Sequence, residues 1–361
     1  MTAGVARTGF AAHANFSLSN YDAVIGPMCE HMVEHGAAVE TQAGGHIIHM
    51  GDSVTQLRPK GDMTFVDITA KSLEDLYYVR SAIASHVLEF ATESVDIKWE
   101  GDGNDFVRPP NFHIFKVENV FDLTPRMRRI RFSTDAAKRF VPLTALHLNL
   151  LVQHPELTSP QWPTLGTNGL IQWTDPDRRP SFRKYTVRDV DVDAGTLDID
   201  FVLHTDAGPG SHFARNARRG MEIGVTGPGG GGLVPADWYL FAGDETALPA
   251  IARMLRYLPE NARGIAIIEV ADERETQNLS TDTKIEIKWL YRNSRTGSYG
   301  SLADAVRQIS LPGDQIVYVW TGCEFEDFRS IRTFLKQEIS FQNLKHLIVS
   351  YWRRGSPEAL N

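Results

Sequence analysis

Apolar and polar positions change period along the chain, and the changes mark three regions. In the first, Val24, Ile25, Met28 and Met32 recur at helical spacing and predict a helix over residues 21–35. Gly44-Gly45 opens an expected strand over 46–50, closed by Gly51-Asp52, and a second extended run covers 63–68. Leu73, Leu76, Val79, Ile83, Val87, Leu88 and Ala91 form the apolar stripe of a long helix over 72–90. Ser72 is its expected N-cap, with Glu74 and Asp75 in the first turn. A strand over 95–99 runs into Glu100-Gly101-Asp102-Gly103-Asn104-Asp105, a linker composition. These elements make an N-terminal small α+β domain over 14–101. Residues 1–20, rich in Ala, Ser, Thr and Asn, are expected to fray.

Beyond Pro109-Pro110, short extended runs over 112–120, 127–133, 146–152, 183–190, 197–204 and 221–226 predict a barrel or sandwich. Strands then alternate with helices. The strands cover 238–242, 265–270, 285–290, 315–320 and 345–351, and the helices 246–257, 301–309 and 325–338. That alternation implies a parallel sheet with crossovers.

Charge and cysteine content narrow the function. With 37 Lys+Arg against 45 Asp+Glu, the net charge is −8, the opposite of the basic surplus a nucleic-acid-binding protein carries. Cys29 and Cys323 cannot build a disulfide framework and suit a reducing compartment. No uncharged apolar run is long enough to span a bilayer, so no stable membrane association is expected. Residues 1–20 hold one Arg and no apolar core of a secretory signal, which makes a cytoplasmic location the expectation.

Arg183-Lys184-Tyr185-Thr186-Val187-Arg188 lies on a predicted strand. Arg183, Tyr185 and Val187 then share one face, and Thr186 and Arg188 the other. Tyr185 can stack on a flavin ring, Thr186 can bond its reactive edge, and the arginines can neutralise a pyrophosphate. The same pattern also describes an edge strand with a solvated basic face. After His204, Gly208-Pro209-Gly210-Ser211 opens a short helix, either as a phosphate site or as a plain Gly-Pro turn. Gly227-Pro228-Gly229-Gly230-Gly231-Gly232 matches neither the dinucleotide fingerprint nor the P-loop and reads as a flexible turn. Gly243-Asp244-Glu245-Thr246 sits where a parallel strand gives way to a helix, the usual place for a ligand. Its acids would repel a pyrophosphate. They can bond ribose hydroxyls, but stabilising the helix N-terminus is the stronger physical reading.

The R-x-Y-T-x-R run, the H-x-x-x-G-P-x-S segment, the A-G-D-E-T-A-L-P-A-I turn and the terminal Tyr351-Trp352-Arg353-Arg354-Gly355 occur together and in order. In this the stretch 108–356 resembles the siderophore-interacting protein family, flavin-dependent ferric-siderophore reductases related to ferredoxin reductases. The resemblance implies an antiparallel β-barrel FAD-binding domain over 108–235 and a C-terminal α/β parallel-sheet NAD(P)H-binding domain over 236–356. It implies that Arg183, Tyr185, Thr186 and Arg188 hold FAD, and that His204, Gly208, Gly210 and Ser211 take its pyrophosphate. Gly243, Asp244, Glu245 and Thr246 would line the nicotinamide site. Trp320 and Glu324 match a family W-x-x-G-E segment in which Cys323 replaces the glycine. Phe213 stands where the family usually has Trp, and Asn149 where Lys is common. Residues 14–101 resemble a small domain of unknown function found fused to, or encoded beside, such reductases.

The implied chemistry runs from NADPH (or NADH) to FAD and then, by single electrons, to Fe(III). It needs no protein acid or base. An anionic ferric siderophore requires a local basic patch on an acidic chain. Arg126, Arg128, Arg129 and Arg131 form one candidate cluster and Arg353 with Arg354 another, and Arg129, Arg353 and Arg354 are the expected substrate contacts. A solvated surface is the plainer reading of such runs. Glu269, Asp272 and Glu273 favour a free ribose 2′-hydroxyl, whereas Arg274 and Arg292 suit a 2′-phosphate. Two other functions stay open. One is a related flavin oxidoreductase that reduces a quinone or a partner protein. The other is an iron-binding role for the N-terminal domain, where Cys29, His31, His35 and His86 offer ligands for iron, zinc or haem unless they are ordinary surface and core residues.

Overall fold

The computed structural model describes residues 9–204, 208–293, 301–337 and 344–355. The chain forms two compact units, Met1–Phe112 with Leu157–Arg179, and His113–Glu156 with Pro180–Asn361.

The first unit contains β1 (Phe10–Ser17), α1 (Tyr21–Glu34), β2 (Ala38–Gln42), β3 (Gly45–Met50), β4 (Ser53–Lys60), β5 (Met63–Ala70), α2 (Leu73–Phe90) and β6 (Trp99–Gly101). The strands form an antiparallel sheet in the order β2-β3-β4-β5-β1-β6. The helices start where side chains satisfy first-turn N–H groups. The Asn20 side chain accepts from Ala23, and Ser72 Oγ from the Asp75 N–H at 3.0 Å. Ile25, Met28 and Met32 of α1 bury with Leu76, Val79, Ile83 and Val87 of α2 against Ala12, Ala14, Phe16, Val66 and Ile68 of the sheet. Leu88, expected in the stripe, is exposed.

Four expectations for this unit change. Residues 10–17, expected to fray, are β1, an inner strand of the sheet. The strand expected over 95–99 shrinks to a pairing of β6 that begins at Trp99. Residues 100–105 are no free linker, because the Asp102 carboxylate accepts the Ala11 N–H at 2.8 Å. Residues 157–179, expected within the barrel domain, belong to this unit. They carry the short pair β10 (Thr164–Leu165) and β11 (Ile171–Gln172). The Trp99 indole donates to the Asn168 carbonyl at 2.9 Å and the Ser81 hydroxyl to the Gly169 carbonyl.

The second unit, from His113 onward, contains β7 (Phe112–Thr124, all but its first residue), β8 (Met127–Ser133), β9 (His147–Val152), β12 (Ser181–Asp191), β13 (Thr196–Val202) and β14 (Glu222–Gly229). These close a barrel in the order β12-β13-β8-β7-β14-β9. Phe115, Ile130, Phe132, Val187, Ile199 and Phe201 fill it. Helix α3 (Pro209–Asn216) adds Phe213, whose ring stacks at 6.4 Å on Phe132. The parallel sheet consists of β15 (Trp238–Gly243), β16 (Arg263–Val270), β17 (Lys284–Tyr291), β18 (Val317–Glu324) and β19 (Leu344–Trp352), with helices α4 (Leu248–Tyr257), α5 (Leu302–Arg307) and α6 (Phe325–Gln337). Its order is β17-β16-β15-β18-β19. Strand order therefore reverses between β15 and β18, and the carboxyl ends there form the crevice in which such sheets bind ligands. Arg253 of α4 ties sheet to barrel. Its buried guanidinium donates to the carbonyls of Val187, Phe140 and Val141, and burial lowers its pKa to about 10.

Candidate active site

The barrel wall positions the first group of residues. Val187 points into the core, so Tyr185 faces the same way and packs its ring on Phe201 at 4.4 Å. Its hydroxyl lies against Gly210 of α3, where an added Cβ would overlap the phenol, so that position has to be glycine. Burial pushes the Tyr185 hydroxyl above the usual phenol range. Gly208 precedes α3 and Pro209 is its first residue. The N–H groups of Gly210 and Ser211 fall in the first turn, which has no intrahelical acceptor. Ser211 Oγ accepts the His204 N–H at 3.2 Å. Residues 205–207, between His204 and Gly208, lie outside the described residues. Burial lowers the His204 pKa, against an opposing pull from Glu245.

The arginines divide into engaged and available. Arg183 donates to the Phe182 carbonyl at 2.8 Å and, among the described residues, pairs with no carboxylate. Arg188 is half-buried beside Asp200, its buried Nε 3.9 Å from Oδ2 and without a hydrogen bond. Arg129 and Arg131 do share a strand face, but that face is turned onto the acidic outer side of β13. Arg129 grips Asp200 at 2.6 and 2.8 Å, and Arg131 grips Asp198 at 2.8 and 2.9 Å. The expected substrate contact Arg129 is thus committed to a carboxylate 71 positions away in the chain. Arg128 pairs with Asp122. Arg126, exposed between β7 and β8, is in no ion pair among the described residues.

Thr186 lies on the other face of β12. The Tyr351 hydroxyl of β19 is 2.6 Å from His147 Nε2, and burial raises the Tyr351 pKa above the usual phenol range. Gly322 makes room for the Tyr351 ring, since a Cβ there would stand 2.9 Å from it. Burial, aided by Lys184 and Arg253, lowers the His147 pKa to about 4, so the ring is neutral at pH 7. Asn149 pairs in register with Lys184 and Thr226.

Asp244 organises the switch point. Its carboxylate accepts from Thr246 N at 2.9 Å, Thr246 Oγ1 at 2.5 Å, Glu324 N at 3.0 Å and Trp352 Nε1 at 2.7 Å. Burial and then Glu245 raise its pKa to about 6, against those hydrogen bonds. Glu245 holds Arg292 at 3.0 and 2.6 Å, and Arg292 reaches Glu269 at 2.7 Å. Burial works against the Arg292 cation, but these two carboxylates keep its pKa above the ordinary range. Both acids of the Gly243–Thr246 turn therefore serve the turn and its neighbours. Asp272 is likewise bound by Arg274 at 2.9 Å. Glu324 accepts the N–H groups of Glu326 at 2.7 Å and Arg354 at 3.0 Å. Cys323 of β18 is buried in the core, which explains how a side chain is tolerated where glycine is usual. The Arg353 guanidinium lies 4.8 Å over the Phe325 ring, and both Arg353 and Arg354 are exposed.

The sequence motifs are thereby linked in space. Tyr185 meets Gly210, Ser211 meets His204, the His204 ring lies 6.4 Å from Trp352, and Trp352 bonds Asp244. His147 and Arg253 went unnoticed in the sequence, and Tyr351 and Trp352 had no assigned role. The available signal was a lone polar residue within an apolar strand and within an apolar helix face. The residues fit FAD. The Tyr185 ring lies against the first turn of α3, and Arg183, two residues along β12, pairs with no carboxylate among the described residues. A ring face, first-turn N–H groups and a cation are what a flavin dinucleotide takes.

Residues 116–232 match the family described as siderophore-interacting FAD-binding domain, and 236–355 the one described as siderophore-interacting protein. Residues 13–100 match a family described as uncharacterized protein conserved in bacteria (DUF2218). Ferric vibriobactin reductase ViuB of Vibrio cholerae is 35% identical over 186 residues, covering 51% of this chain and 68% of that protein. A siderophore utilization protein from T. fusca superposes with a TM-score of 0.57 at 34% identity, covering 71% of this chain and 97% of that one. The siderophore-interacting protein SipS of Aeromonas hydrophila does so with a TM-score of 0.58 at 28% identity, covering 68% and 93%. No helix among the described residues is long and apolar enough to cross a membrane. With its FAD-binding barrel, its parallel sheet and these relatives, the chain belongs to the siderophore-interacting protein family of flavin oxidoreductases.

Proposed function

We propose that the protein reduces a ferric siderophore with electrons from NADPH or NADH, passed through FAD. The observation that carries this reading is the linkage of Tyr185, the Gly210-Ser211 helix start, the Asp244 turn and Trp352 around one crevice. When bound, FAD supplies the exchange between two-electron and one-electron chemistry. The chain supplies the positioning. Tyr185 offers an aromatic face, while Arg183 and the N–H groups of Gly210 and Ser211 neutralise the pyrophosphate. Arg188, half-buried with an unbonded Nε, adds positive potential from the same strand. His147 of β9, whose Nε2 is 2.6 Å from the Tyr351 hydroxyl, keeps the barrel edge against the end of β19.

The nicotinamide dinucleotide would bind at the carboxyl ends of β15 and β16, beside a turn that Asp244, Glu245 and Thr246 hold in shape. Fe(III) is held tightly by hard oxygen donors and Fe(II) much less so, so reduction releases the metal. Arg126, Arg353 and Arg354 give an anionic chelate a local attraction on a chain of net charge −8. The free thiols Cys29 and Cys323 favour a cytoplasmic setting.

The test is anaerobic incubation with FAD, a nicotinamide dinucleotide and a ferric siderophore, with a colour-forming Fe(II) chelator present. Fe(II) that appears only with all components supports the reading, and Fe(II) at the protein-free background overturns it.

A further inference from the structure

Apart from the flavin site, the first unit gathers three imidazoles at one point. His31 and His35 stand one turn apart on α1, and His86 comes from α2. One ligating nitrogen from each lies within 4.8 Å of the others. The Nε2 atoms of His31 and His35 are 3.0 Å apart, a separation at which at least one must be bare, since two N–H groups would repel. Two nitrogens each ~2.0 Å from one tetrahedral ion stand about 3.3 Å apart. Small rotations of the three rings therefore reach that arrangement.

The outer nitrogens support the same conclusion. His86 Nδ1 is 2.7 Å from the Ala82 carbonyl, which only accepts, so Nδ1 carries a proton and Nε2 is the nitrogen left for a ligand. His31 Nδ1 faces the Glu34 carboxylate at 3.7 Å. A backbone carbonyl and a carboxylate on the far nitrogen are the partners that metal-binding histidines use to fix tautomer and orientation. The Phe90 ring lies 5.6 Å from His31, and His35 also lines a cleft of about 270 Å³ with Met50, Asp75 and Tyr78. Cys29 takes no part, because it lies in the core of this unit.

The geometry points to a three-imidazole site for a first-row divalent cation of the zinc type, formed by His31, His35 and His86, with a fourth position left to water or an incoming ligand. This site is separate from the flavin chemistry and does not depend on it.

The test uses untagged full-length protein, stripped with chelator and titrated with Co²⁺ under visible spectroscopy, then with Zn²⁺ in competition. One equivalent of Co²⁺ should give ligand-field bands that Zn²⁺ removes. His31→Ala and His86→Ala should each weaken binding by about 100-fold, beyond the loss of an outer partner, and Glu34→Gln by ~10-fold. His49→Ala, at an ordinary imidazole–carboxylate pair, should leave it unchanged. Circular dichroism checks the fold of each variant, and Glu34→Gln leaves all three rings in place should an alanine variant misfold. Absence of stoichiometric bands, or equal affinity in the His86→Ala and Glu34→Gln variants, overturns the site.

Discussion

The indole N–H of Trp352 donates to the buried Asp244 carboxylate at 2.7 Å, joining the end of β19 to the residue after β15. The Glu324 N–H at the end of β18 donates to the same carboxylate at 3.0 Å. One side chain thus fastens three strand ends at the switch point. Trp352→Phe keeps an aromatic ring but removes the donor. It should destabilise the protein by about 1–3 kcal/mol in urea unfolding followed by circular dichroism, the range for a buried acceptor left short of a partner. An unchanged midpoint would refute this role.

His147 gives a pH dependence with a defined sign. Its folded pKa is lowered to about 4 by burial, Lys184 and Arg253, whereas a free imidazole titrates near about 6.5. Between those values the unfolded chain binds the extra proton, so this stabilising contribution is complete above the window and is lost as pH falls through it. Asp244, raised to about 6, acts in the opposite direction, since there the folded state binds the extra proton. Substitution separates the two. His147→Gln cannot charge, so its stability relative to the parent should rise as pH is lowered from about 7 to about 4.5. A difference that stays constant with pH would contradict the assignment.

Arg253 carries its charge into the junction of barrel and sheet and satisfies carbonyls on both β12 and the Phe140–Val141 turn. Arg253→Met should cost roughly 3 kcal/mol or more, because several buried acceptors lose a charged donor at once. Lysine, lacking the forked donors, should recover little of it. Urea unfolding of the parent and both variants checks this ordering.

Flavin retention tests the barrel side of the site. Arg183→Ala should weaken FAD binding by roughly 10- to 100-fold, the value of a charge-assisted hydrogen bond. Tyr185→Ala should also lower occupancy, and Gly210→Ala should do so by displacing the Tyr185 ring. Equilibrium dialysis with FAD measures all three. Full occupancy in Arg183→Ala and Tyr185→Ala would move the flavin elsewhere.

The legible parts of the fold were those with strong local signals. β15 and β18 are buried on both faces and read as continuous apolar runs. β4 buries Ser53 and Thr55, β2 is mostly exposed, and β1 relies on alanines, so their alternation was masked. Residues 157–179 have no period of their own and find partners at Trp99 and Ser81. At the site, the motif residues were legible through resemblance, but their partners were not. Asp244 and Trp352 are 108 positions apart, and Arg129 meets Asp200 through strand pairing. The spacing of His31 and His35 was local, whereas the approach of His86 required the packing of α1 on α2.

Electron flow is read most directly from the visible spectrum of the FAD-loaded protein under argon, first with NADPH or NADH and then with a ferric siderophore. The proposed function predicts that the nucleotide bleaches the flavin bands and that the ferric complex restores them as Fe(II) forms. Flavin that neither nucleotide bleaches, or bleached flavin that the ferric complex leaves unchanged, would contradict it.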